Sequence, residues 1–179
     1  MPVVIVDNKN YTEAEFSALV SLPNATHVDA IGCTSLTSLP NLPNATHVYA
    51  RGCTALTSLP DLPNATHVYA RGCTALTSFC GHALPDAATA RARLADVAKA
   101  ALATPDALNM LTWHTCETVH CMAGWAITLA GDKGRKLEAK YGPHAAGTIL
   151  LGVKASGWFY LSNDDAREKL QAVLEGNAP

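Results

Sequence analysis

A 20-residue stretch that occurs twice in succession constrains this chain more than anything else in it. Residues 39–58 read Leu-Pro-Asn-Leu-Pro-Asn-Ala-Thr-His-Val-Tyr-Ala-Arg-Gly-Cys-Thr-Ala-Leu-Thr-Ser. Residues 59–78 repeat them with Asp61 in place of Asn41 as the only change. A shorter, more diverged copy occupies residues 22–38. Self-similarity at a fixed period marks a chain whose segments bury their apolar faces against their sequence neighbours, not one collapsed around a single irregular core.

Each copy carries the pattern of a half-buried strand. His47-Val48-Tyr49-Ala50-Arg51 alternates polar with small apolar residues, the two-residue period of a pleated surface. Val48 and Ala50 are expected to face the core, and His47, Tyr49 and Arg51 to face out. Gly52 permits a sharp turn directly after the strand. The two prolines hold the returning chain extended and cannot donate to a ladder. Strands set side by side at about 4.8 Å place equivalent side chains in columns. The inner column is Cys33, Cys53 and Cys73. The outer columns are His27, His47 and His67, then Asp29, Tyr49 and Tyr69, then Ile31, Arg51 and Arg71.

Ala45, Val48, Ala50, Cys53 and Leu56 follow the spacing a-x-x-a-x-a-x-x-C-x-x-L. This pattern resembles the leucine-rich repeat, with small residues in the early leucine positions. The Leu-Pro-x-Leu-Pro punctuation and the period resemble the short bacterial type of that family. The resemblance covers residues 22–78. It implies an α+β protein: a short leucine-rich-repeat solenoid of parallel strands, capped at its N-terminal end and followed by a small all-α domain. The expected divisions are a strand-helix cap over 1–21, repeats over 22–78 and a helical part over 79–179. In the cap, Val3-Val4-Ile5-Val6 reads as a strand, and Thr12 with Glu15 as a capping box opening a short helix.

Composition narrows the function classes. The chain has 179 residues, is 49% apolar and carries a formal net charge of −2. That is ample apolar content for a core, and it gives no general attraction to nucleic acid or to an anionic membrane. No apolar run reaches the length of a membrane span, and the N-terminus lacks the pattern of a signal peptide. A cytoplasmic protein is expected, with delivery into another cell left open. Of six cysteines, three belong to the repeat column. Three neighbours that all point inward do not pair off among themselves, so free thiols are expected. The three Asn-Ala-Thr triplets at Asn24, Asn44 and Asn64 match a glycosylation sequon and are read as turn residues that recur with the repeat.

Beyond Ser78 the pattern becomes helical. Asp86 caps a helix to about Ala103, and Thr104 caps a short second helix with Pro105 at its first position. A third helix starts at Thr115 or Thr118 and ends near Gly131. A fourth spans 133–141 and a fifth 143–152. The last is capped by Asn163. These elements are expected to dock on the open end of the repeats.

The richest chemical stretch is Trp113-His114-Thr115-Cys116-Glu117-Thr118-Val119-His120-Cys121-Met122-Ala123-Gly124-Trp125. It resembles a Cys-x-Thr-x-His-Cys-x-Ala-Gly-Trp run found in uncharacterised bacterial and phage proteins. Three readings compete for it. In the favoured one Cys121, Met122, Ala123 and Trp125 pack a helix and the histidines complete hydrogen bonds. In the second, Cys116 and His120 share a helix face and form a zinc site with Cys80 and His82, with His114 and Cys121 nearby. In the third, Cys116 or Cys121 is a nucleophile served by His114, His120 or His82.

The resulting expectation is a protein that binds a protein partner through the strand face, without a cofactor, as a bacterial or phage host-interaction factor. Its contact residues would be His27, His47, His67, Tyr49, Tyr69, Arg51 and Arg71, Tyr and Arg being enriched at binding hot spots. The alternative is a cysteine-dependent hydrolase or transferase with the repeats as a substrate-docking arm.

Overall fold

The computed structural model describes residues 3–5, 24–112 and 118–177. The capping box at Thr12, and His114 and Cys116, lie outside the described residues. The fold is mixed α+β. Four short parallel strands form one sheet in chain order: β1 (Val3–Ile5), β2 (His27–Asp29), β3 (His47–Tyr49) and β4 (His67–Tyr69). The register equates the repeats residue for residue: His27 pairs with His47 and His67, Val28 with Val48 and Val68, and Asp29 with Tyr49 and Tyr69.

Alternation along each strand decides what faces the core. Val28, Val48, Val68, Ala30, Ala50 and Ala70 are fully buried, and so is the column Cys33, Cys53, Cys73. The thiols do more than fill space. Cys53 Sγ donates to Ala30 O and Cys73 Sγ to Ala50 O, both at 2.9 Å, so each thiol ties its segment to the preceding one. All five described cysteines are free thiols. Threonines make the same kind of link on the surface: Thr57 Oγ1 donates to Thr37 O and Thr77 Oγ1 to Thr57 O, each at 3.1 Å. Gly52 and Gly72 turn the chain at φ of +77° and +81°, a region that side chains with a Cβ avoid.

A two-stranded hairpin ends the repeats: β5 (Ser78–Phe79) and β6 (His82–Ala83). Cys80 and Gly81, both at positive φ, form its two-residue turn, as that hairpin geometry requires. Helices follow: α1 (Ala87–Ala101), α2 (Met122–Leu129), α3 (Gly131–Tyr141), α4 (Pro143–Leu151), the short α5 (Val153–Ser156), a 3₁₀ turn over Gly157–Tyr160, and α6 (Asn163–Leu174). No helix among the described residues is long and apolar enough to cross a membrane.

Three sequence expectations fail here. The helix expected after Thr104 does not form. Its carbonyls serve other partners: Arg167 of α6 donates to Pro105 O and Leu108 O, Trp125 Nε1 to Ala107 O at 2.9 Å, and His120 N to Ala107 O at 3.2 Å. Side chains from elsewhere outweigh a weak local propensity. The helix expected from Thr115 or Thr118 begins only at Met122, because Cys121 is extended and caps it. The last helix is capped by Ser162, one residue before the expected cap, and Asn163 instead accepts Met110 N at 2.7 Å.

The helical part packs on the sheet in one continuous apolar core. Lys140 reaches Asp61 at 3.8 Å, Tyr141 donates to Cys80 O at 3.4 Å, and Gly142 lies beside Thr66 O. Within the helices, glycines allow close crossings. A Cβ on Gly147 would come within 2.8 Å of Ala123 Cβ and 2.9 Å of the Phe159 ring. Gly147→Ala should therefore destabilise the protein by about 1–3 kcal/mol through overpacking, read as a lower urea midpoint at unchanged slope. An unchanged midpoint would mean that α2 and the 3₁₀ turn give way freely at this crossing.

Candidate binding face

The outward columns form in the structure as the register dictates. His27, His47 and His67 stack with ring centroids 4.4 and 4.6 Å apart. Tyr49 and Tyr69 stack at 5.5 Å with parallel rings. Offset parallel stacking of this kind adds to what burial alone contributes.

The hydrogen bonds assign the histidine tautomers. Thr46 Oγ1 donates its single proton to Thr26 O at 2.9 Å, and Thr66 Oγ1 to Thr46 O at 3.3 Å. Each hydroxyl can then only accept from the following imidazole, at 3.0 Å from His47 Nδ1 and from His67 Nδ1. The proton sits on Nδ1 and the lone pair on Nε2. Burial, followed by the neighbouring His27 and His67, lowers the pKa of His47. Because the rings are parallel, their lone pairs run side by side and do not converge on one ion.

Tyr49, Tyr69, Arg51 and Arg71 join Ile31 and one residue that sequence reasoning missed. Tyr160, from the 3₁₀ turn, closes the end of the face, and the six residues line a hollow of about 410 Å³. The Arg71 guanidinium lies over the Tyr160 ring, Cζ 5.3 Å from its centroid. Tyr160 sits in a Gly-Trp-Phe-Tyr run more than 80 residues from β4, so no local pattern signals its place.

Beneath this wall His144, in the first turn of α4, seals the edge of β4. Its Nδ1 donates to Val68 O at 3.3 Å, and its ring packs on Tyr69, Phe159 and Tyr160. It is 3% exposed, and Nε2 has no partner. Burial lowers its pKa to about 4 from 6.5.

The cysteine and histidine cluster is taken up by packing, among the described residues. Cys121 Sγ accepts Gly124 N at 3.4 Å as the cap of α2, and burial raises its pKa. His120 is not on a helix, so the face it was expected to share with Cys116 is absent. His120 makes an isolated parallel bridge with Leu108 and meets the Trp125 ring edge-on at 4.7 Å. Cys80 is buried in its hairpin and raised to about 12, chiefly by desolvation. His82 meets the Tyr141 ring edge-on at 5.9 Å. No group of three or more His, Cys, Asp or Glu that could hold a metal ion occurs among the described residues. A nucleophile at Cys121 finds no support, because burial disfavours its thiolate.

No protein-family model, curated protein or solved structure matches this chain. The reading of the face rests on its own residues.

Two outcomes follow. A histidine whose folded pKa lies below its unfolded value binds more protons unfolded, so stability is lost as pH falls. For His144 the window is pH 6.5 down to about 4, and the loss approaches about 3 kcal/mol at its lower end. His144→Asn, which keeps a donor toward Val68 O but does not titrate there, should flatten the fall in urea denaturation measured across that window. Raising the Cys80 pKa from 9.0 to about 12 leaves about a thousandth of the thiolate at a given neutral pH. Iodoacetamide with peptide mapping at pH 7 should therefore label Cys80 and Cys121 far more slowly in the native protein than in urea. Rapid native labelling of Cys121 would restore the nucleophile reading.

Proposed function

We propose that this protein binds a protein partner through the outward face of its parallel sheet. In this reading residues 22–78 form a short leucine-rich-repeat solenoid of the bacterial type, and the helical part caps its end. The in-register pairing of segments 20 residues apart, the buried thiol column and the glycine turns support that assignment. The observation that carries the functional reading is the hollow itself. Two arginines and three tyrosines, drawn from both the repeated segments and the helical part, converge on one open surface. Arg and Tyr supply large, semi-rigid contact area and are the residues most often found to dominate binding energy. A protein of bacterial or phage type that acts on another protein by capture, without a cofactor, fits this surface.

Photo-crosslinking from position 49 in the source cells tests the proposal, with a control position at the exposed Lys99 on α1. A discrete adduct from position 49 and none from position 99 is expected. R51E/R71E should cut that adduct at least tenfold, equivalent to about 1.4 kcal/mol or more, while circular dichroism and the melting temperature stay unchanged. Equal adducts from both positions would sink the proposal.

A further inference from the structure

Among the described residues, the two arginines of this face have no ion-pair partner. The ion pairs among the described residues join Lys99 to Asp96, Arg135 to Asp132 and Lys140 to Asp61, and none reaches Arg51 or Arg71. Asp29, the acidic member of the tyrosine column, turns its Oδ1 to the Ile31 N–H at 2.9 Å. Stacking on Tyr160 orients the Arg71 guanidinium without neutralising it. Two cations therefore stand in the turns that follow β3 and β4, where Gly52 N donates to Arg71 O at 2.8 Å, so their backbones are one strand spacing of about 4.8 Å apart, with no carboxylate of the described residues between them.

The two arginines set the preference of the lining. A guanidinium only donates hydrogen bonds. Burial, then Tyr49, raises the pKa of Tyr69, and burial, then Tyr69, raises that of Tyr160, so both phenols keep their protons at neutral pH. The phenols can donate or accept, so the arginines decide, and they favour a ligand that brings acceptors. The two positive charges are separated, which suits two separate negative groups better than one compact anion. On an extended peptide, side chains two residues apart project from one side, about 6.6–6.8 Å apart. The two arginine side chains can spread to that distance.

Resting on the partner-binding reading above, we propose that the hollow receives an acidic peptide segment of the partner. Two carboxylates two residues apart on an extended stretch pair with Arg51 and Arg71, while the tyrosine rings exclude water around them. Ion pairs flanked by apolar walls are less screened than pairs on an open surface, so the contacts are specific as well as attractive.

Selection of a random displayed-peptide library on the full chain tests this. Peptides with Asp or Glu at positions i and i+2 are expected to be enriched. The best of them, remade as its Asn or Gln twin, should bind at least tenfold more weakly. The R51E/R71E protein, shown folded by circular dichroism, should lose the acidic peptides and enrich basic ones. Failure to enrich any peptide, or enrichment without an acidic pair, overturns the proposal. Tighter binding of a phosphopeptide or of a short single-stranded DNA probe than of the acidic peptide also overturns it. Competition of the selected peptide with the adduct at position 49 separates this inference from the broader one. Non-acidic peptides that compete would leave the binding face standing and remove only its preference for carboxylates.

Discussion

The parallel pairing of Val28, Val48 and Val68 in one register governs the rest of the molecule. Once those valines are paired and buried, every position one residue away is carried to the outer side and lines up with its counterpart 20 residues on. A slip of one residue would turn the valines out and drive histidine and tyrosine into the core. The imidazole stack and the tyrosine stack are thus by-products of one apolar constraint. The donor links from Cys53, Cys73, Thr57 and Thr77 to the preceding segment hold the spacing from both sides of the chain.

Such a sheet leaves an edge, and an open parallel edge invites unwanted pairing. The helical part covers it at β4, and the contacts show what the cover costs. His144 satisfies Val68 O with one ring nitrogen but buries the other without a partner. That arrangement favours the neutral imidazole and makes the junction sensitive to acid. The same junction carries Asp61, the one residue that distinguishes the two full repeats, and it faces Lys140. The pair is exposed and contributes little to stability. It nonetheless lies where the second repeat meets the helices and the first does not. Closing the edge also delivers Tyr160 to the binding face, so covering the sheet and shaping the hollow are one event.

The stretch around Cys121 shows how rich chemistry in a sequence can resolve into structure. A thiol beside a histidine reads as a nucleophile or a ligand. In the fold the thiol accepts a backbone N–H as a helix cap, and the imidazole packs against an indole. Burial holds the Cys121 thiol protonated, which disfavours it as a nucleophile. The lost helix after Thr104 belongs to the same account. Arg167, Trp125 and His120 take the carbonyls that a helix would have used for itself.

The sequence by itself determined the strand columns, the inward valines and cysteines, the glycine turns and the positions of most helices. These follow from short-range periodicity, which sets which way each side chain faces before anything is packed. Only the tertiary structure decided the Cys80-Gly81 hairpin, the late start of α2, the sealing of β4 by His144 and the presence of Tyr160 on the face. Each depends on groups far apart in the chain that meet because they satisfy one another's hydrogen bonds or bury one another's surface. Periodicity carries no record of such meetings. The two arginines were legible as a pair in the sequence. That an aromatic ring from the helices walls them, with Arg71 lying over it, was decided by the fold.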